Sequence, residues 1–97
     1  MKVYDPDLIS DDPTIQRIDN AVRAVGDEVL RAMRRFDPFN SPHEGWAVIK
    51  EELDELWEHV KANEGRDLAA YVEAKQVAAM AVRYMIDCRA YNQEIKP

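Results

Sequence analysis

The sequence predicts an all-α fold, an antiparallel bundle of three main helices, and three observations lead there. The 97-residue chain holds only three Gly, and its long runs are rich in Ala, Leu, Glu and Arg. Helix-start residues stand before each long run: Asp11-Asp12-Pro13, Ser41-Pro42-His43-Glu44 and Asp67. In these positions Ser and Asp side chains satisfy orphan amide groups, and proline fits the first helical turn. Finally, the apolar residues of the first run recur at steps of three and four, the period of one helical face.

Residues 1–11 read as an extended, acidic lead-in, and the whole of 1–97 as a single domain. The first helix is expected over 12–36. Ile15, Ile18, Val22, Val25, Val29 and Met33 form its apolar stripe, with Arg17, Arg31 and Arg35 opposite. Asp37-Pro38-Phe39-Asn40-Ser41-Pro42 then makes a stiff link, because the residue before a proline is pushed out of the helical region.

The second helix is expected over 41–62, with Ser41 as its cap and Glu44 able to reach back toward it. At about 100° per residue, Trp46, Ile49, Leu53, Leu56, Trp57 and Val60 fill one arc, which predicts that both tryptophans belong to the core. Asp54 and Glu58 point to solvent. Glu52 and Glu55 lie between these faces with Val48 set between them, which predicts a second packed surface carrying two carboxylates.

Asn63-Glu64-Gly65 ends that helix, with Gly65 expected in the left-handed conformation. The third helix is expected over 67–92. Val72, Val77, Met80, Val82, Tyr84, Met85, Ile86 and a series of alanines surround it almost completely. A helix apolar nearly all round is packed on several sides, and three helices cannot readily cover one of their number that fully. The bundle is therefore expected to be completed by a second copy, as a homodimer or a higher homo-oligomer, through an interface that includes this helix.

Composition bounds the function. With 46% hydrophobic and 33% charged residues the chain is globular. A net charge of −6 provides no basic face for polymeric nucleic acid. A lone cysteine, Cys88, excludes an internal disulfide and fits a reducing compartment, and the first residues, MKVYDPDLISDDP, lack the apolar run of a signal peptide. The longest apolar stretch, Val77 to Ile86, carries Arg83 and is too short for a bilayer. No membrane association and a cytoplasmic location are expected.

The candidate site comes from acids at matched spacing. Glu52 and Glu55 stand three residues apart, as do Glu73 and Gln76, and 17 residues separate Glu55 from Glu73. That length finishes one helix, turns and starts the next, so antiparallel packing sets the two pairs face to face. Three carboxylates and an amide oxygen brought together between helices repel one another unless a cation joins them. An oxygen-only donor set favours a hard cation such as Mg²⁺ or Mn²⁺ over Zn²⁺.

The run Glu51-Glu52-Leu53-Asp54-Glu55-Leu56, followed by Glu73-Ala74-Lys75-Gln76, resembles the EExxE…ExxD signature of the MazG-like, all-α nucleotide pyrophosphohydrolases. The resemblance covers roughly residues 41–88, and His43-Glu44 at the head of the motif helix is similar to some members. It implies Mg²⁺-dependent cleavage of a nucleoside triphosphate, NTP or dNTP, to the monophosphate and pyrophosphate. It makes Glu52, Glu55, Glu73 and Gln76 the metal-binding positions. Glu51 and Glu52 become the catalytic carboxylates, Glu51 as a ligand or as the group that orients water. Lys50, Lys75 and Arg83 flank the motifs and are candidates to bind the substrate's phosphates. Gln76 departs from the pattern, which has Asp there; an amide offers oxygen but neither charge nor a base. The alternative is a non-catalytic helical dimer of the same type, binding nucleotides or acting as a regulatory module.

Overall fold

The computed structural model describes residues 11–89, which form three helices and no strand. Helix α1 spans Pro13–Arg35, α2 spans Pro42–Asn63 and α3 spans Leu68–Asp87. The all-α class is as the sequence predicts. The lead-in residues 1–10 and the tail from 90 onward, with Tyr91, lie outside the described residues.

Each start is built from the expected cap. Asp12 accepts a hydrogen bond from the Thr14 amide (2.8 Å), Ser41 from the Glu44 amide (3.1 Å) and Asp67 from the Ala70 amide (2.9 Å). The Glu44 carboxylate reaches one residue further back than a simple capping box and takes the backbone and side-chain N–H groups of Asn40, at 3.0 and 3.2 Å. It thereby fixes the link between α1 and α2. Helix α2 ends with two left-handed residues, Glu64 (φ 64°) and Gly65 (φ 76°). The third helix is shorter than its pattern promised. It stops at Asp87, and Cys88 and Arg89 are not helical: the Cys88 amide makes the last helical bond, to the Tyr84 carbonyl, the Cys88 backbone leaves the helical region (φ −115°, ψ 16°), and the Asp87 carboxylate accepts the Phe39 amide (3.0 Å). That last bond ties the end of α3 to the α1–α2 link.

Helix α3 is central: α1 and α2 each pack on it and not on one another. The core lies where the three meet. Val29 and Ala32 come from α1, Phe39 from the link, and Ala79 and Met80 from α3, with Val48 and Ile49 of α2 packed against them. The arrangement corrects the expected face of α2. Trp46, Leu53 and Trp57 are 64%, 48% and 56% exposed, while Val48, Ile49, Glu52, Leu56 and Val60 are half-buried and Gly45 is buried. The covered arc is thus centred on Gly45 and Glu52, and the two tryptophans lie outside it.

Gly45 gives the physical reason. A Cβ there would stand 2.7 Å from Cδ2 of Tyr84 and 3.1 Å from Cδ2 of Phe39, closer than real contacts allow. Only glycine lets α2 approach α3 on this side, and the approach turns Glu52 inward and Trp46 and Trp57 outward.

Candidate metal centre

The antiparallel packing of α2 on α3 brings acids from both helices together. One carboxylate oxygen each from Glu52, Glu55 and Glu73 lies within 4.8 Å of the other two. Glu52 and Glu73 are half-buried and Glu55 is exposed, so the cluster sits at the lip of the interface. Glu55 and Glu52 are one helical turn apart, and the covered arc of α2 carries Glu52 inward to meet Glu73.

The electrostatics are those of a site short of positive charge. The Glu52 carboxyl is pushed up to about 7, first by burial, then by the charge of Glu55, and by a hydrogen bond and charge shared with Glu73. Glu55 is raised as well, chiefly by the charge and hydrogen bond of Glu73. The Oε2 atom of Glu73 is buried and has no donor among the described residues. A buried carboxylate oxygen without a donor is costly, and several carboxylates held this close cannot all ionise without compensation. The donor set is oxygen only, and it fits a hard divalent cation better than a soft one.

A cleft of about 440 Å³ opens beside these acids, between α1 and α2 with α3 as its floor. Glu51, Glu52 and Val48 line it from α2, Gln76, Met80 and Arg83 from α3, Phe36, Asp37 and Phe39 from the link, and Glu28, Arg31 and Ala32 from α1. Glu51 is exposed at its edge, and its charge contributes to raising both Glu52 and Glu55.

The remaining expected site residues take different places. Gln76 lines the cleft together with Glu52 and with Glu28 of α1, whose carboxyl is held below its ordinary value chiefly by Arg31. Lys50 points along α2 and donates to both oxygens of Asp54, at 2.7 and 2.8 Å. Lys75 lines a groove between α1 and α3 with Ala21, Ala24 and Tyr71. Arg83 is buried, with Nη2 on the Asp37 carbonyl (2.8 Å) and its guanidinium 4.5 Å above the Phe39 ring.

Sequence reasoning missed Glu28 and Arg31. The pattern of α1 places Glu28 beside the stripe residue Val29, and an acid touching an apolar stripe is the signal that could have marked it. Compared with known proteins, the chain matches no family model, no curated protein and no solved structure.

Proposed function

We propose that the protein is a Mg²⁺- or Mn²⁺-dependent nucleoside triphosphate pyrophosphohydrolase of the MazG-like type. The observation that carries this reading is the convergence of Glu52, Glu55 and Glu73 from two helices around a buried oxygen of Glu73 that has no donor among the described residues. Glu52, Glu55 and Glu73 would hold the cation. When bound, the divalent ion supplies neutralisation of the phosphate charge and a more acidic water. The protein's own part is positional. Glu51, at the cleft edge beside Glu52, orients the water and accepts its proton. The water oxygen forms a bond to the α-phosphorus as the bridging α–β bond breaks, and pyrophosphate departs with the electron pair. The cleft beside the acids has room for a nucleoside, walled on one side by Phe36 and Phe39.

The test is release of pyrophosphate from a panel of NTPs and dNTPs with Mg²⁺ or Mn²⁺. Turnover is expected for at least one nucleotide, and Glu52→Gln is expected to reduce it more than about 100-fold. Absence of pyrophosphate from every nucleotide would sink the hydrolase.

A second reading has one observation in its favour. Gln76, at the position where the resemblance expects Asp, lines the cleft beside Glu52 and brings it no charge. A non-catalytic nucleotide-binding module accommodates that arrangement, and it predicts a thermal shift with nucleotide plus Mn²⁺ and no pyrophosphate.

The working unit in either reading is a homodimer. Trp46, Leu53 and Trp57 of α2 and Met85 and Ile86 of α3 are large apolar side chains left exposed, the kind of surface that marks an interface. A second copy covering them would complete the bundle. Sedimentation equilibrium is expected to give twice the 11.2 kDa chain mass, and a value of one chain would overturn the dimer.

A further inference from the structure

Helix α1 adds one feature to the cleft that the three acids do not explain. Glu28 is 7% exposed, and its two oxygens accept a side-on fork from Arg31, Nε to Oε1 at 3.1 Å and Nη2 to Oε2 at 2.5 Å. The Arg31 side chain is itself 55% exposed, and both residues line the same cleft as Glu51, Glu52 and Gln76. Three other ion pairs on the helices, Arg23–Asp19, Lys50–Asp54 and Lys61–Glu58, have acids exposed by 28%, 61% and 65%. Those are solvated pairs of the kind that contributes little. Arg83–Asp87 is buried at both ends. The Glu28–Arg31 pair is buried at the acid and open at the cation, so a fixed carboxylate holds a guanidinium at the cleft wall.

Charge balance says what such a cation would meet. Glu51 and Glu52 line the cleft, Glu55 and Glu73 cluster with Glu52, and a triphosphate brings several more negative charges. One divalent ion cannot offset both, so the substrate side needs a protein cation. Lys50 and Lys75 do not line the cleft, Lys50 pairing with Asp54 and Lys75 lying in the α1–α3 groove, and Arg83 is buried on the Asp37 carbonyl and the Phe39 ring. Arg31 remains. Its fork uses Nε and Nη2 on Glu28, and Nη1 makes no hydrogen bond among the described residues.

From this we infer that Arg31 binds the polyphosphate arm of the substrate and that Glu28 is its positioning residue; this rests on the nucleotide reading above. A guanidinium gripped on one edge by a carboxylate keeps its remaining N–H groups in a fixed direction, which suits the planar recognition of phosphate oxygens. Gln76 lines the same cleft, where an Asp would add a further carboxylate to those of Glu28, Glu51 and Glu52 and compete for Arg31.

The experiment compares wild type, Arg31→Ala and Arg31→Lys by titration calorimetry with three probes: Mn²⁺ alone, inorganic tripolyphosphate with Mn²⁺, and a nucleotide that the wild type turns over, with Mn²⁺. Arg31→Ala leaves the buried Glu28 carboxylate without its cation, so melting temperatures check that each variant is folded, and Arg31→Lys keeps the charge. Mn²⁺ affinity is expected to stay within about twofold of wild type. Affinity for tripolyphosphate and nucleotide is expected to fall about 10- to 100-fold in Arg31→Ala, the loss of one charge-assisted bond, and to recover in part in Arg31→Lys. Unchanged tripolyphosphate binding in Arg31→Ala overturns the inference, as does a loss confined to the nucleotide, which would place Arg31 on the base or sugar. A wild type that takes up no Mn²⁺ sinks the metal-nucleotide reading itself, and this inference with it.

Discussion

At pH 8, saturating Mn²⁺ raises the melting temperature of the metal-free protein by about 10–20 °C, and Glu52→Gln erases that gain while melting above the metal-free wild type. Both halves follow from the same charge. The Glu52 carboxyl titrates near 7 in the fold, above its value in the unfolded chain. A group raised in this way stabilises the fold fully below its unfolded pKa, and the contribution is lost as pH rises through 7. Glu55 shifts in the same direction. The groups facing Glu52 are Glu51 and Glu55 on its own helix and Glu73 on α3, with Glu28, Arg31 and Gln76 sharing the cleft. The metal-free protein is therefore expected to lose about 1–2 kcal/mol between pH 5.5 and 8, after discounting for the partial exposure of Glu52. Glu28 behaves oppositely: lowered by Arg31, it contributes stability that disappears only as pH falls below its unfolded value, outside this window. The cation reverses the slope, because it binds the ionised acids and competes with protons. An ion at about 100 times its dissociation constant adds about 2.7 kcal/mol, and in a domain this small each kcal/mol is worth about 4–8 °C. Differential scanning fluorimetry at pH 5.5 and 8, with and without Mn²⁺, measures all four corners. Equal Mn²⁺ shifts for wild type and Glu52→Gln would remove Glu52 from the site, and a metal-free melting point that rises with pH would contradict the packing of the acids.

The acids were legible because helix periodicity is a local property. Glu52, Glu55 and Glu73 are placed by two spacings and one turn, and the turn was marked by Asn63-Glu64-Gly65 and Asp67. What a wheel cannot give is the rotation of a helix against its neighbour. The apolar arc of α2 contains Trp46, Leu53 and Trp57, and reading it as the core placed the tryptophans inside. Rotation was decided by backbone approach at Gly45, where Tyr84 and Phe39 fill the space a side chain would need. A glycine within a helix is a sign of close approach, so the information was present but outweighed by the larger apolar residues. Glu28 and Arg31 were hidden for a different reason. Their neighbours in the cleft lie on α2, α3 and the link, and no spacing within α1 reports that α1 and α2 flank α3 with a gap between them.

Arg83→Met is expected to lower stability by about 3 kcal/mol, or more than about 12 °C in melting temperature, while leaving nucleotide affinity nearly unchanged in protein that is still folded. By position alone Arg83 could be a substrate cation, since it lines the cleft that Arg31 also lines. Its contacts argue for another role. It is 4% exposed, its Nη2 holds the Asp37 carbonyl, its plane covers Phe39, and Asp87 lies 4.0 Å away with its side chain buried. These contacts fasten the α1–α2 link to the end of α3, and the Asp87 carboxylate strengthens the fastening by accepting the Phe39 amide. Methionine fills the space but leaves the Asp37 carbonyl without its donor and Asp87 without its cation, the situation in which a buried charge is most costly. Substrate binding by Arg83 predicts the opposite pattern, a KM raised tenfold or more in a variant that melts like the wild type. Measuring melting temperature and KM on the same preparation, below the melting transition, separates the two roles.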